Sequence, residues 1–112
     1  MNDLDRILSA LADPTRRAVI ELLRERPRRA GELAASFAIS APALSRHLRV
    51  LRKSGLVEED HRGEDARVRL YRLKPKPFRT LHRWVDDTEA FWTKELGAFK
   101  EYAERTRGKG RR

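Results

Sequence analysis

The chain has 112 residues, 26 Lys and Arg against 17 Asp and Glu, a net charge of +9, and no cysteine. This is the length of one domain, and the missing thiol excludes disulfides, thiolate metal sites and thiol redox chemistry. No apolar run reaches the ~18 residues of a membrane span, and residues 1–5 have neither the basic start nor the apolar stretch of an export signal, so a cytoplasmic protein with a polyanionic partner is expected.

Leu4, Ile7, Leu8 and Leu11 recur at helical spacing, with Asn2 or Asp3 available as the cap. Asp13 and Pro14 then suit the N-cap and first position of a second helix, apolar along Val19, Ile20, Leu22 and Leu23 and ending before Pro27. Arg28 to Ala38 reads as a short third helix, with Leu33 and Phe37 four apart. A tight turn at Ala38, Ile39 and Ser40 leads into a fourth helix. Ser40 is its N-cap, Pro42 lies in its first turn, and Ile39 and Leu44 are spaced as a hydrophobic staple. Leu44, Leu48 and Leu51 face inward, and Gly55 is placed for a left-handed C-cap.

The period then shortens. Leu56 to His61 and Arg67 to Leu73 read as strands joined through Arg62-Gly63-Glu64-Asp65-Ala66, with Val68 and Leu70 alternating with arginines. Lys74-Pro75-Lys76-Pro77 breaks the ladder, and a long helix is expected from Phe78 to about Tyr102. Residues 104–112 carry five cations, one acid and two glycines without an apolar side chain, and are expected to form a basic mobile tail. The fold class is therefore mainly α with a small β-hairpin, in the order of a winged helix-turn-helix with an added helix at each end. Residues 1–103 make the domain, with the helix-turn-helix at about 29–54, the wing at about 56–73 and the last helix at about 78–102.

The positive charge is concentrated. Residues 24–53 hold eight cations against two acids, and the chain uses 20 Arg against 6 Lys. Arginine can grip phosphate or guanine with two parallel hydrogen bonds. A helix-turn-helix lays its second helix in the major groove. The residues off the leucine stripe of the fourth helix, Ala41, Pro42, Ala43, Ser45, Arg46, His47, Arg49, Arg52 and Lys53, together with the capping Ser40, form the expected DNA face. Small residues at its start let the backbone approach, and the helix N-terminus favours a phosphate. Ser45 and Arg46 are best placed for base edges; Arg49, Arg52 and Lys53 lie further along, where phosphates are the expected contacts. On the wing, Arg62, Arg67 and Arg69 can reach phosphates or the minor groove, while Glu64 and Asp65 oppose deep insertion.

Three stretches carry a resemblance to a known family. Ala12-Asp13-Pro14-Thr15-Arg16-Arg17, Pro42-Ala43-Leu44-Ser45-Arg46-His47-Leu48-Arg49-Val50-Leu51 and Gly55-Leu56-Val57 resemble the ArsR/SmtB family of bacterial transcriptional regulators over roughly residues 5–100. The resemblance implies a homodimeric winged-helix repressor on an inverted-repeat operator, paired through its first and last helices. That puts Leu4, Ile7 and Leu8 of the first helix, and Trp84, Phe91, Trp92 and Phe99 of the last, in the dimer interface. It also places Ser45, Arg46 and His47 on DNA. Where the family often has a glutamine-like residue, this chain has Ala41.

The family's metal sites are not matched. Glu32-Leu33 is followed by Ala34, Ala35 and Ser36 in place of cysteines, and only His82 and Asp86 stand at i, i+4 on the last helix, a surface pair by preference to a zinc site. The resemblance is to a branch of the family without recognisable metal ligands, so neither metal nor cofactor is expected. One set of the last helix's aromatics is expected to pack on the core and the other to form an apolar interface. A small-molecule effector pocket lined by Trp84 and Trp92 is the alternative reading of the same residues.

Three function classes follow. The first is a sequence-specific transcriptional regulator, a homodimeric repressor bound to double-stranded DNA at the nucleoid. The second is a sequence-tolerant architectural DNA-binding protein, supported by the net charge and basic tail. An enzyme is not expected, since no nucleophile–base grouping or glycine-rich phosphate loop is present.

Overall fold

A computed structural model describes residues 2–61 and 69–110. The wing tip, with Arg62, Arg67 and Val68, lies outside the described residues. The elements are α1 (Asp3–Leu11), α2 (Pro14–Glu25), β1 (Arg28–Arg29), α3 (Ala30–Phe37), α4 (Ala41–Lys53), β2 (Val57–Asp60), β3 (Leu70–Leu73) and α5 (Pro75–Gly110). They form two units, residues 1–81 and residues 82–112. The result is a mostly helical winged helix-turn-helix with a small antiparallel sheet, the expected fold class.

Helix starts follow the capping chemistry. Asn2 accepts the Asp5 N–H at 2.8 Å, and Asp13 accepts those of Thr15 and Arg16 at 2.8 and 3.1 Å. The two N–H donors, Arg16's foremost, hold the Asp13 carboxyl below the usual carboxylate range. Ser40 Oγ accepts the Ala43 N–H at 3.2 Å, and Pro42, in the first turn, forfeits no intrahelical bond.

The two helices of the helix-turn-helix end in the same way. At α4, the Gly55 N–H donates to Arg52 O and the Leu56 N–H to Leu51 O, with Gly55 at φ +77°. At α3, the Ala38 N–H donates to Ala35 O and the Ile39 N–H to Ala34 O, with Ala38 at φ +51°. Both are Schellman motifs. The second places an L side chain where glycine is favoured, at an exposed position. The turn thus carries backbone strain of about 1 kcal/mol.

The core of the first unit joins α1, α2, α3, α4 and the sheet through Ile7, Ala10, Val19, Ile20, Leu23, Leu33, Leu44, Leu48, Leu51, Leu56, Val57 and Tyr71. Phe78 and Leu81, in the first turns of α5, pack against it.

The structure departs from the sequence reading in several places. Arg28 and Arg29, read as the start of the third helix, form β1, which pairs antiparallel with β3 through Arg28↔Tyr71 and Arg29↔Leu70. The sheet therefore has three strands in the order β1-β3-β2. Arg28 is fixed there by donating to Leu22 O at 3.2 Å and pairing with Glu25 at 2.7 Å. Tyr71 turns into the core, because β2 pairs Val57↔Leu73 and Glu59↔Tyr71 and Val57 is buried. Ile7, read as interface, is 1% exposed and belongs to the monomer's core, whereas Leu8 on the same helix is 39% exposed. The last helix begins at Pro75 rather than Phe78, since the first turn needs no N–H from Pro75 or Pro77. It also runs through Gly110, past Tyr102, because Ala, Glu, Arg and Lys sustain a helix without an apolar face.

Within the unit spanning residues 82–112, residues 82–110 form a single helical stretch. Trp84, Val85, Phe91, Trp92, Leu96, Phe99 and Tyr102 are all exposed on it, so none is the core-packing set expected from the sequence. At 3.6 residues per turn these positions cover an arc of roughly 140°. Phe91 and Trp92 meet edge to face, with centroids 6.0 Å apart.

The two Schellman turns give opposite expectations. Ala38→Gly raises stability by about 0.5–1 kcal/mol and Gly55→Ala lowers it by about 1 kcal/mol or more. At roughly 4 °C per kcal/mol in a domain of this size, the two melting temperatures fall on opposite sides of the wild type. Circular dichroism checks the order.

Candidate nucleic-acid interface

Burial of Leu44, Leu48 and Leu51 decides which way α4 faces. Opposite that stripe, Pro42, Arg46, Arg49 and Lys53 recur at i, i+4, i+7 and i+11, an outward row about 16 Å long at 1.5 Å per residue. All four are exposed. Among the described residues, Arg46 and Arg49 make no ion pair, so their charges are unanswered within the first unit. Ala41 is exposed in the first turn. Ser45, also exposed, lines a cavity of about 120 Å³ with Ala30, Gly31, Ala34 and Tyr71, between the two helices of the motif.

Each flank of α4 is tied to a neighbour by an arginine. On one side Arg16, from the first turn of α2, donates through Nε to Ala10 O at 2.7 Å and through Nη2 to Ser9 O at 3.3 Å. Its Nη1 lies 3.3 Å from His47 Nδ1. A guanidinium only donates, so Nδ1 accepts and the imidazole proton sits on Nε2. Nε2–H is then the group His47 offers beyond this contact.

On the other side Arg52 Nη1 lies 3.1 Å from Glu59 Oε1 on β2. Glu59 is a meeting point. Its Oε1 also accepts the Tyr71 hydroxyl at 2.7 Å and faces Arg69 at 3.8 Å, and its Oε2 is 3.7 Å from His61 Nε2. The Tyr71 hydroxyl, then the charges of Arg52 and Arg69, hold the Glu59 carboxyl below its usual range. Burial and the adjacent carboxylate push the Tyr71 phenol up to about 12. The opposite face of the hairpin has its own pairing, Arg72 with Glu58 and, at 3.5 Å, with Asp60.

The residues named from sequence thus divide. Ser40 caps α4. Ala41, Pro42, Ser45, Arg46 and Arg49 stand together on its exposed side. His47 and Arg52 flank them, each engaged by a neighbouring element. Arg69 stands beside Glu59 at the wing's base. Lys53, at the far end of the row, lines a cavity of about 200 Å³ with Asp3, Lys74, Lys76 and Thr80, beside α1 and the start of α5. Arg62 and Arg67 lie outside the described residues.

Sequence reasoning missed Arg16, Glu59 and Tyr71. Strand alternation held a signal for Glu59, which follows Val57 by two residues and so shares its inward face; an inward carboxylate needs donors. Among the described residues no group of three or more His, Asp or Glu is arranged to hold a metal ion. His82 pairs with Asp86 at 3.3 Å. No helix among the described residues is long and apolar enough to cross a membrane.

A four-helix and hairpin unit with an exposed basic row on the second helix of a helix-turn-helix defines a winged helix-turn-helix DNA-binding protein. Comparison with known proteins makes this specific. The family described as bacterial regulatory protein, arsR family, matches residues 13–59. The HTH-type transcriptional regulator Rv2034 of Mycobacterium tuberculosis is 39% identical over 97 residues, 87% of this chain and 85% of that protein. Among solved structures, an ArsR-like transcriptional regulator from Rhodococcus sp. RHA1 matches with a TM-score of 0.79 and 30% identity, over 91% of each chain. A homodimeric winged helix-turn-helix DNA-binding domain from Mycobacterium bovis, a possible ArsR-family regulator, matches with a TM-score of 0.61 and 26% identity, over 76% of this chain and 79% of that one. This chain belongs to the ArsR family of bacterial transcriptional regulators.

The Glu59 cluster makes a pH prediction. A carboxyl whose folded-state pKa is depressed contributes stability that is fully present above its unfolded value, ~4.3, and is lost as pH falls through the lower folded value. The deficit in melting temperature of Glu59→Gln relative to wild type is therefore constant near neutrality and narrows on acidification below pH ~4.3. Paired thermal melts across that range check it; a deficit that widens in acid contradicts it.

Proposed function

We propose that the protein is a homodimeric repressor that binds an inverted-repeat operator with its two α4 helices in successive major grooves, ~34–36 Å apart. The observation that carries this reading is the outward row of α4, where Arg46 and Arg49 have no ion-pair partner among the described residues and Ser45 stands beside them. Arg46, nearer the helix N-terminus, reads guanine O6 and N7, and Ser45 and the Nε2–H of His47 meet the groove beside it. Arg49 holds a phosphate. The backbone at Ser40, Ala41 and Pro42 approaches the duplex closely because no long side chain intervenes. Arg62, Arg67 and Arg69 of the wing lie over the neighbouring backbone. Repression is steric: a dimer seated on the operator excludes polymerase. Such a regulator acts in the cytoplasm, at the nucleoid, and performs no catalysis.

Dimer formation is supported by the homodimeric relative from Mycobacterium bovis and by the uncovered apolar side of α5. Trp84, Phe91, Trp92 and Phe99 meet a second copy there, with Leu4 and Leu8 of α1 contributing; Ile7 supports Leu8 from the core side. Burying one such side chain is worth about 1.5–3 kcal/mol, so a few of them outweigh the entropy of association only when several are covered at once.

Two measurements test the reading. In vitro selection of genomic fragments followed by footprinting yields a protected inverted repeat; uniform coverage would instead mark a sequence-tolerant architectural protein. On that operator Arg46→Ala flattens the preference at one base pair per half-site by about 1–3 kcal/mol. Arg49→Ala weakens all sequences alike and lowers the salt slope by ~0.9 per half-site. Equal loss of preference in both variants contradicts the division of roles. For the dimer, Trp92→Asp sediments as a monomer at micromolar concentration, whereas the wild type sediments as a dimer.

A further inference from the structure

We infer that Glu59 is a positioning residue for DNA binding, which holds Arg52 and Arg69 on the protein and withholds one unit of positive charge from the phosphate backbone. The inference rests on the DNA-binding reading above and deepens it.

Glu59 Oε1 takes the Tyr71 hydroxyl at 2.7 Å, Arg52 Nη1 at 3.1 Å and Arg69 Nη1 at 3.8 Å, and the Glu59 side chain is only 15% exposed. The two arginines, by contrast, are 41% and 60% exposed. The carboxylate is fixed from beneath by a core tyrosine, while the cations it faces stand where the recognition helix meets the wing. An incoming phosphate competes with Glu59 for both guanidinium groups. Two cations and one anion offer DNA a net charge of +1 where the arginines alone would offer +2. Sequence-independent affinity comes almost wholly from phosphate neutralisation, and each neutralised phosphate adds ~0.9 to the salt slope. Trimming that attraction matters because a genome presents so many competing non-specific sites. The same contacts tie the last turn of α4 to β2 and fix the angle between helix and wing.

The test is the salt dependence of binding to a random-sequence duplex. Wild type, Glu59→Gln and Glu58→Gln are compared, with melting curves to establish folding. Glutamine keeps an acceptor for the Tyr71 hydroxyl but removes the charge. The slope of Glu59→Gln is steeper by ~0.9 per protomer, so the dimer's affinity falls about 12-fold further than that of wild type between 50 and 200 mM salt. Arg52→Gln added to Glu59→Gln returns the slope to wild type. Glu58, whose partner Arg72 lies on the other face of the hairpin, leaves the slope unchanged when substituted. An unchanged slope in Glu59→Gln, or an equal rise in Glu58→Gln, overturns the inference while leaving DNA binding intact. If Glu59→Gln does not fold, Glu59→Met, which removes the charge at nearly the same side-chain volume, is read in its place: a slope steeper than wild type is expected, and an unchanged slope overturns the inference. A wild type that binds no duplex at all overturns the DNA-binding reading and this inference with it.

Discussion

The burial of three leucines fixes everything else about the interface. Leu44, Leu48 and Leu51 are each no more than 2% exposed. Turning α4 by one residue, about 100°, would expose that stripe and carry Arg46 toward the core. The hydrophobic term here exceeds any single surface charge effect, since each fully buried leucine contributes about 1.5–3 kcal/mol against at most about 1 kcal/mol for an exposed ion pair. The outward row is therefore set by packing rather than by electrostatics. The matched Schellman ends add the second constraint. They stop α3 and α4 at defined residues, so the turn between them has one length and the recognition helix one origin.

Net charge overstates how much cation is available to a polyanion. Several arginines are consumed inside the fold. Arg16 and Arg17 donate to carbonyls at the end of α1 and in the turn after it, and Arg28 locks β1 to α2. Arg52, Arg69 and Arg72 face carboxylates on the wing. Arg46 and Arg49 are different in kind, since no ion-pair partner answers them among the described residues. This distinction between arginines that brace and arginines that reach is what turns a basic composition into an oriented site.

Local chemistry made much of this legible without coordinates. Asn2, Asp13 and Ser40 announce helix starts because their side chains can only profit there. Gly55 announces a helix end for a similar reason. The leucine spacing of α4 told its buried side from its exposed side, and the family motifs around Asp13, Ser45 and Gly55 marked the candidate interface. What stayed hidden depends on partners remote in sequence. Arg28 and Arg29 have helical neighbours on both sides and become strand only because β3 offers them hydrogen bonds. Tyr71 looks like any strand residue until β2 supplies Glu59 opposite it. Ile7 and Leu8 are adjacent apolar residues, and only the packing of α1 on the core tells them apart. His47 reads as a DNA contact from its helix alone, yet Arg16, 31 residues away, settles which nitrogen it presents.

The last helix joins stability to recognition. Its apolar side chains at positions 84–102 cannot bury themselves against one another on a single straight rod, since an arc of roughly 140° has no second surface to close upon. In the proposed dimer that arc supplies hydrophobic area which a chain of this length lacks on its own, because small domains bury a smaller fraction of their surface. In that dimer a substitution at Trp92 or Phe99 that weakens the pairing also removes the second α4 helix from the operator. Sequence specificity in the proposed arrangement rests on two short rows brought together by that pairing.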